Sequence, residues 1–378
     1  MKILIIGDGN HQLINSYVEN LFQILSKTDN ELSIDLFTTR ESNSKRNKYF
    51  TNVFRSFPSN IRLNIRGFNR IITPIRIRYF FSLIKEKYDF IHIHYVSQDM
   101  LVLRKLFAKK SNNLLCSFWG SDFYRINDSQ KRKLIPLLGQ AKFITFSNSQ
   151  MATDFSKFYN HFPEKIKICR YGQTPMEELH KIDKIEKTEC KKRFLFQSDK
   201  IIICVGYNLS EGQQHFKIIQ NIEQANELKD FSDKVLFVFP ITYGSDQKYK
   251  LELKNRLLSF PYEYELIEHF LTDLEVAYLR KSTDIFIQLQ KTDQFSGAMT
   301  ENLYSQNIVI TGAWLPYGDL LKMGVFLYQI NSIDYLSELL IKILKNIKAE
   351  KIRFHDNQLI LKSFGFWRDN IKDWAKLY

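Results

Sequence analysis

The chain has few cysteines, no long apolar run and, from Ser42 to Lys85, no acidic residue at all. Its four cysteines, Cys116, Cys169, Cys190 and Cys204, lie far apart with no paired spacing, which excludes a zinc-ribbon or dithiol motif and fits a reducing cytoplasm. The opening MKILIIGDGN turns polar after five apolar residues, too few for a signal-peptide core. No stretch reaches the roughly 18 uninterrupted apolar residues of a membrane span. The composition is 44% hydrophobic, 14% aromatic and 25% charged, which excludes a mainly disordered, collagen-like or coiled-coil chain. At roughly 100–200 residues per domain, 378 residues predict two or three domains.

Charge is present in excess, with 54 Lys and Arg against 41 Asp and Glu, but it is not spread evenly. The acid-free stretch holds ten basic residues: Lys45, Arg46, Lys48, Arg55, Arg62, Arg66, Arg70, Arg76, Arg78 and Lys85. On a helix Ile61, Ile65, Phe68 and Ile72 fall on one side and Arg62, Arg66 and Arg70 roughly opposite. Such a segment either lies on an anionic membrane surface or packs its isoleucines on a core. No recognition motif accompanies the charge, which speaks against nucleic acid.

Apolar runs and turn residues alternate along the chain. Strands are predicted at Lys2–Ile6, Leu32–Phe37, Phe90–Tyr95, Leu114–Phe118 and Phe143–Phe146, with helices after Leu13, at Pro74–Lys87, Asp99–Ala108 and Ser129–Gly139. A second series places strands at Ile201–Gly206, Val235–Pro240, Tyr264–Ile267, Ile285–Leu289 and Ile308–Thr311, with helices between them. Two α/β domains with parallel sheets follow, and ligands are expected in a cleft at the carboxyl ends of the strands. The expected boundaries are 1–175 for the first domain, 176–198 for a charged linker, 199–360 for the second domain, and 361–378 for a terminal helix.

Several turns have the residue types of a binding site. Gly7-Asp8-Gly9-Asn10-His11 joins the first strand to a helix, where Gly9, Asn10 and His11 either approach a ligand or form a plain tight turn. Trp119-Gly120-Ser121-Asp122 follows another strand; Asp122 is either a base beside an aromatic sugar-stacking surface or a helix cap. In Asp89–His94, His92 and His94 alternate onto one face, with no third ligand close in sequence to suggest a metal. Gly206, Asn208, His215 and Lys217 open the second domain, where helix-start N–H groups plus His215 or Lys217 could hold a diphosphate, His215 being otherwise an ordinary cap or surface residue. Ser296 and Gly297 precede a further helix, and Glu301, one turn inside it, could accept two ribose hydroxyls.

Together these pieces resemble the two-domain GT-B glycosyltransferases, in particular glycosyltransferase family 4 and bacterial N-acetylfucosaminyltransferases acting on lipid-linked intermediates. The Asp89–His94 strand is similar to the family's D-x-I-H-x-H strand, and Trp119–Asp122 to its H/W-G-[SG]-D turn. Asp293 and Glu301 stand where the family has paired glutamates, and Pro240-Ile241-Thr242-Tyr243-Gly244 and Gln213-Gln214-His215 resemble the fucosaminyltransferase branch. Two positions depart from the pattern: Tyr207 replaces the usual Arg of the second-domain turn, and Glu211-Gly212-Gln213 supplies no Lys.

The resemblance implies two Rossmann-like domains facing a cleft, with a C-terminal helix, bearing Trp367 and Trp374, crossing back to the first. It implies a UDP- or TDP-sugar as substrate rather than a bound cofactor, held by Gly206, Asn208, His215, Lys217, Tyr243, Gly244, Ser296, Gly297 and Glu301. The acceptor, a lipid-linked glycan of cell-envelope polysaccharide assembly, is expected beside Gly9, Asn10, His11, His94 and Trp119, with Asp122 as base if the reaction inverts. No metal is required, because helix dipoles and cationic groups can stabilise the leaving diphosphate. Arg62, Arg66 and Arg70 are expected to dock the protein on the inner face of the membrane. The alternatives are a non-catalytic partner subunit of an active transferase and a sugar epimerase of the same fold.

Overall fold

A computed structural model describes residues 1–39, 47–56, 68–244, 246–293 and 295–378, with side chains from residue 72 onward in the helix that begins at Phe68. The chain divides into two compact units: Met1–Gly172 with Trp367–Tyr378, and Gln173–Phe366.

The first unit is a doubly wound parallel sheet. Its strands are β1 (Lys2–Ile6), β2 (Ser33–Thr38), β3 (Val53–Arg55), β4 (Phe90–His94), β5 (Leu114–Ser117), β6 (Ala141–Phe146) and β7 (Ile166–Ile168), in the order β3-β2-β1-β4-β5-β6-β7. Helices α1 (Gln12–Leu25), α2 (Phe68–Ser82), α3 (Arg104–Lys110), α4 (Ser121–Tyr124), α5 (Asp128–Leu138) and α6 (Ser149–Phe158) connect them. Strands covered on both sides must be apolar on both faces. Leu4 and Ile6 accordingly join one core layer, and Ile3 and Ile5 the other. In α1, Ile14, Tyr17, Val18, Leu21 and Leu25 recur at helical spacing and are buried.

The second unit repeats the plan with β8 (Ile201–Val205), β9 (Val235–Pro240), β10 (Tyr264–Ile267), β11 (Ile285–Gln288), β12 (Ile308–Gly312) and β13 (Tyr328–Ile330), ordered β10-β9-β8-β11-β12-β13 and all parallel. Its helices are α7 (Thr174–Lys181), α8 (Lys187–Arg193), α9 (His215–Gln224), α10 (Gln247–Leu257), α11 (Asp273–Ser282), α12 (Gly297–Tyr304), α13 (Gly318–Lys322), α14 (Leu336–Lys345), α15 (Ile347–Ile352) and α16 (Asn357–Leu361). The last helix, α17 (Trp367–Ala375), returns to the first unit and lies against α1. There Trp367 and Trp374 are buried in the layer that holds Tyr17.

The segment 176–198 differs from its expectation as a linker. It forms α7 and α8, which pack on α11 of the second unit through Met176, Leu179 and Cys190, leaving most of its charges outside. Asp284, at the start of β11, clasps this region. Its buried carboxylate accepts from Lys187 at 2.8 Å and Lys351 at 2.5 Å, with Lys191 at 3.6 Å. The expected helix 213–228 is shorter, because Gln214 adopts a left-handed conformation and α9 starts only at His215. In α2 the side that meets the core is Ile77 and Phe81, while Ile75, Tyr79 and, just past the helix, Leu83 stay exposed. Arg62 and Arg66 lie outside the described residues, as does the side chain of Arg70. Among the described residues no helix is long and apolar enough to cross a membrane.

Candidate functional site

In each unit the strand order reverses beside the first strand, between β1 and β4 and between β8 and β11, the place where ligands bind in open α/β sheets.

In the first unit this place is built from aromatic rings and histidines. His11 caps α1, its Nδ1 accepting from Leu13 N–H at 3.3 Å, and its ring stands edge-on to Trp119 with centroids 4.9 Å apart. Trp119 Nε1–H donates to Tyr171 Oη at 3.2 Å, and that hydroxyl lies 3.0 Å from His94 Nδ1. Burial pushes the His94 imidazole down to about 3, so it is neutral. Its other ring nitrogen, Nε2, is buried with no hydrogen-bond partner among the described residues. His92 is fully engaged: Nε2 meets Ser117 Oγ at 2.6 Å, and Nδ1 meets Tyr378 Oη at 2.5 Å and Tyr17 Oη at 3.3 Å.

Asp122 is not placed as a free base. Its side chain is buried, with Oδ1 accepting from Trp119 N–H at 2.9 Å and Gly120 N–H at 2.8 Å, and Oδ2 from Val96 N–H at 2.9 Å. Burial raises its carboxyl to about 6 against the pull of these bonds. Gly120, at φ 113°, makes the turn that aims both amides at the carboxylate. Asp122 thus positions Trp119 and the loop after β4, and it lies inside α4, whose cap is Gly120.

The second unit holds a pocket of about 330 Å³. Tyr207, Tyr243, Arg280, Ser296, Gly297 and Glu301 line it, with Leu271, Val276 and Leu279 as apolar wall. Glu301 Oε2 accepts from Arg280 Nε at 3.0 Å, and both side chains are only 7% exposed. A second donor of that guanidinium, NH1, is buried without a partner. Ser296 precedes α12 with no side-chain cap, and its N–H is held by Asp293 Oδ2 at 3.2 Å. The same oxygen accepts from the Tyr317 hydroxyl, so Asp293 anchors the loop from beneath.

Next to the pocket Gly206, at φ 65°, turns the chain out of β8; a side chain there would meet Gln213 Oε1 at 2.8 Å and His215 Nε2 at 3.3 Å. His215 Nδ1 meets Tyr249 Oη at 3.0 Å, Nε2 is buried and unpartnered, and burial pushes the ring down to about 4. It is therefore a neutral, buried hydrogen-bonding group. Asn208 Nδ2 donates to Tyr243 Oη at 3.4 Å, while Gly244, at φ 133°, lies against Leu209 and serves the turn.

Lys217 is not with these residues. Two positions after His215, it is turned by about 200° around α9 and lines a separate groove between that helix and the loops after β11, β12 and β13. Arg280 is the residue the sequence does not reveal. A cation in the last turn of a helix reads as an ordinary partner of the dipole, and nothing in its spacing links it to Glu301.

Residues 2–155 match a family model described as glycosyl transferase 4-like. No curated protein matches the chain. Among solved structures, HepE of Anabaena in complex with UDP and glucose is 11% identical with a TM-score of 0.72, covering 100% of this chain and 98% of its own. Sucrose-phosphate synthase of Thermosynechococcus elongatus is 12% identical with a TM-score of 0.76, at the same coverage. A trehalose-6-phosphate protein of E. coli bound with UDP-2-fluoro glucose is 13% identical with a TM-score of 0.66, covering 100% and 99%. The chain has the GT-B fold of these glycosyltransferases, with a glycosyl transferase 4-like sequence across residues 2–155.

Proposed function

We propose that the protein is a glycosyltransferase, moving a sugar from a UDP- or TDP-sugar held by the second unit to a lipid-linked acceptor held by the first, in cell-envelope polysaccharide assembly. The observation that carries this reading is the buried Glu301 carboxylate in the same pocket as the start of α12. With Oε2 on Arg280, Oε1 remains for the vicinal hydroxyls of a ribose. The Leu271–Leu279 wall takes the base, and the first N–H groups of α12 take the diphosphate. HepE and the E. coli protein, of the same fold, are seen with UDP and with a UDP-sugar analogue, which supports the nucleotide. The reading needs no metal, since the charge developing on the leaving diphosphate falls at a helix N-terminus. In the first unit the half-buried Trp119 ring, edge-on to His11 and His94, is the group offered to the acceptor.

An acceptor embedded in lipid calls for a protein at the bilayer surface. Ile75, Tyr79 and Leu83, at i, i+4 and i+8, form an exposed apolar stripe in the acid-free basic segment, the combination that binds anionic membranes. This stripe is the candidate membrane contact among the described residues; most of the 61–72 face lies outside them.

The test is calorimetry with UDP and TDP, followed by transfer from a panel of UDP- and TDP-sugars to lipid-diphosphate-linked sugars in vesicles. Binding of one nucleotide and transfer support the reading; binding of neither by the folded protein overturns it. A second reading, a non-catalytic partner subunit, is favoured by one observation: Arg280 is the sole Lys or Arg among the residues lining the pocket, and Glu301 already engages it. Nucleotide binding without transfer, together with stimulation of another transferase, would select it.

A further inference from the structure

A groove of about 550 Å³ in the second unit runs between α9 and the loops that follow β11, β12 and β13, apart from the pocket of Glu301. Its main feature is Trp314, in the loop after β12. The indole lies directly on Gly312: a Cβ there would come within 2.4 Å of its ring carbons. Its Nε1–H donates to Gln290 O at 2.9 Å. The ring is thus held in place from one side, yet 41% of its surface stays open. A fixed, open indole is a stacking platform.

The surrounding groups say what would stack. Gln220, Gln224 and Asn331 are exposed and line the groove, and their side-chain amides make no hydrogen bond with the described residues. Lys217 and Lys291 line it too, and neither pairs with a carboxylate among the described residues. Planar amides offer both donor and acceptor, matching vicinal hydroxyls, and ammonium groups add further donors. A pyranose presents an apolar C–H face to an aromatic ring and hydroxyls around its edge, and the volume is that of a site for a molecule of several rings.

We propose that this groove binds a glycan chain, with one sugar ring laid on Trp314 and its hydroxyls paired to the amides of α9 and Asn331. The site is distinct from the pocket of Glu301 and holds sugar by shape and hydrogen bonding, with no nucleotide.

Trp314 is the second unit's sole tryptophan, so its emission reports the groove. The probes are maltohexaose, cellohexaose, chitohexaose, mannohexaose and a hyaluronan hexasaccharide, titrated against the full chain. At least one is expected to give a saturable change in tryptophan emission that Trp314→Phe abolishes. Calorimetry with that sugar should show at least tenfold weaker binding in Trp314→Ala and at least fivefold weaker binding in the doubly exposed-site variant Gln220→Ala/Gln224→Ala. UDP should change neither signal of the groove. Silence with all five sugars overturns the proposal, as does binding of equal strength in Trp314→Ala or in the Gln220/Gln224 variant. Loss of UDP binding on Glu301→Ala with sugar binding intact separates this site from the donor pocket.

Discussion

Arg280 holds Glu301 by a single buried bond, Nε to Oε2 at 3.0 Å, and leaves the other carboxylate oxygen uncommitted. The ion pair does two things at once: it gives a buried carboxylate a partner away from bulk water, and it orients that carboxylate within the pocket.

Removing one partner should therefore separate stability from binding. Glu301→Ala leaves a buried guanidinium uncompensated and is expected to destabilise the protein by about 3–5 kcal/mol. The paired change Arg280→Met/Glu301→Gln removes both charges and should recover most of that stability. UDP affinity should remain at least tenfold down in both variants. Denaturant unfolding and calorimetry on the same preparations check it, and wild-type affinity in the double variant would remove Glu301 from nucleotide binding.

Asp122→Asn tests a positioning role. An amide in place of one carboxylate oxygen turns a donor toward a backbone N–H, and a buried donor left unsatisfied costs about 1–3 kcal/mol. The expected result is a lower melting temperature and a fall in transfer that follows it. A large loss of kcat at unchanged stability would instead restore Asp122 as a base.

Acid should weaken the fold through its buried histidines. Burial holds His215 at about 4 and His94 at about 3, and His92 well below its ordinary 6.5. Because these values lie below those of the unfolded chain, their contribution is complete above about pH 6.5 and is lost as the pH falls through the folded values. Each such group changes stability by up to about 1.4 kcal/mol per pH unit. Asp122 has the opposite sign: raised to about 6 from an ordinary 3.8, it contributes at low pH and loses that contribution as pH rises through 6. Three histidines outweigh one aspartate, so the free energy of urea unfolding should fall from pH 7 to pH 5. A flat profile would show that the rings are hydrated.

Ile75→Ser/Tyr79→Ser/Leu83→Ser removes the exposed stripe without touching Ile77 or Phe81 on the buried side of the segment. Sedimentation with vesicles rich in anionic lipid should show binding that salt weakens, and the triple variant should bind several-fold less. Equal binding by the variant would move the contact elsewhere.

The long elements were legible because their patterns are long. Buried runs such as Ile201–Val205 and the spacing of Ile14, Tyr17, Val18 and Leu21 each predict one structure. Three-residue strands such as Val53–Arg55, Ile166–Ile168 and Tyr328–Ile330 carry no period, and neighbouring strands decide them. Segment 176–198 read as a linker because its charges outnumber its apolar residues, yet Met176, Leu179 and Cys190 suffice to seat two short helices. At the candidate site, Tyr243, Ser296, Gly297 and Glu301 do share one pocket. Lys217 does not, since residues two apart on a helix face nearly opposite ways, and the partnership of Arg280 with Glu301 depends on the docking of α11 on α12.

The return of α17 to the first unit has a bearing on synthesis. The histidine pair of β4 is enclosed by Trp374 and Tyr378, which leave the ribosome only after all of residues 173–366. At about 5–20 residues per second the nascent first unit waits roughly 10–40 s with an open seam along α1. During that interval the seam is the natural target for a chaperone. Completion of the α1–α17 layer of this unit becomes a late event, set by the synthesis of residues 173–366 rather than by the folding of its own sheet.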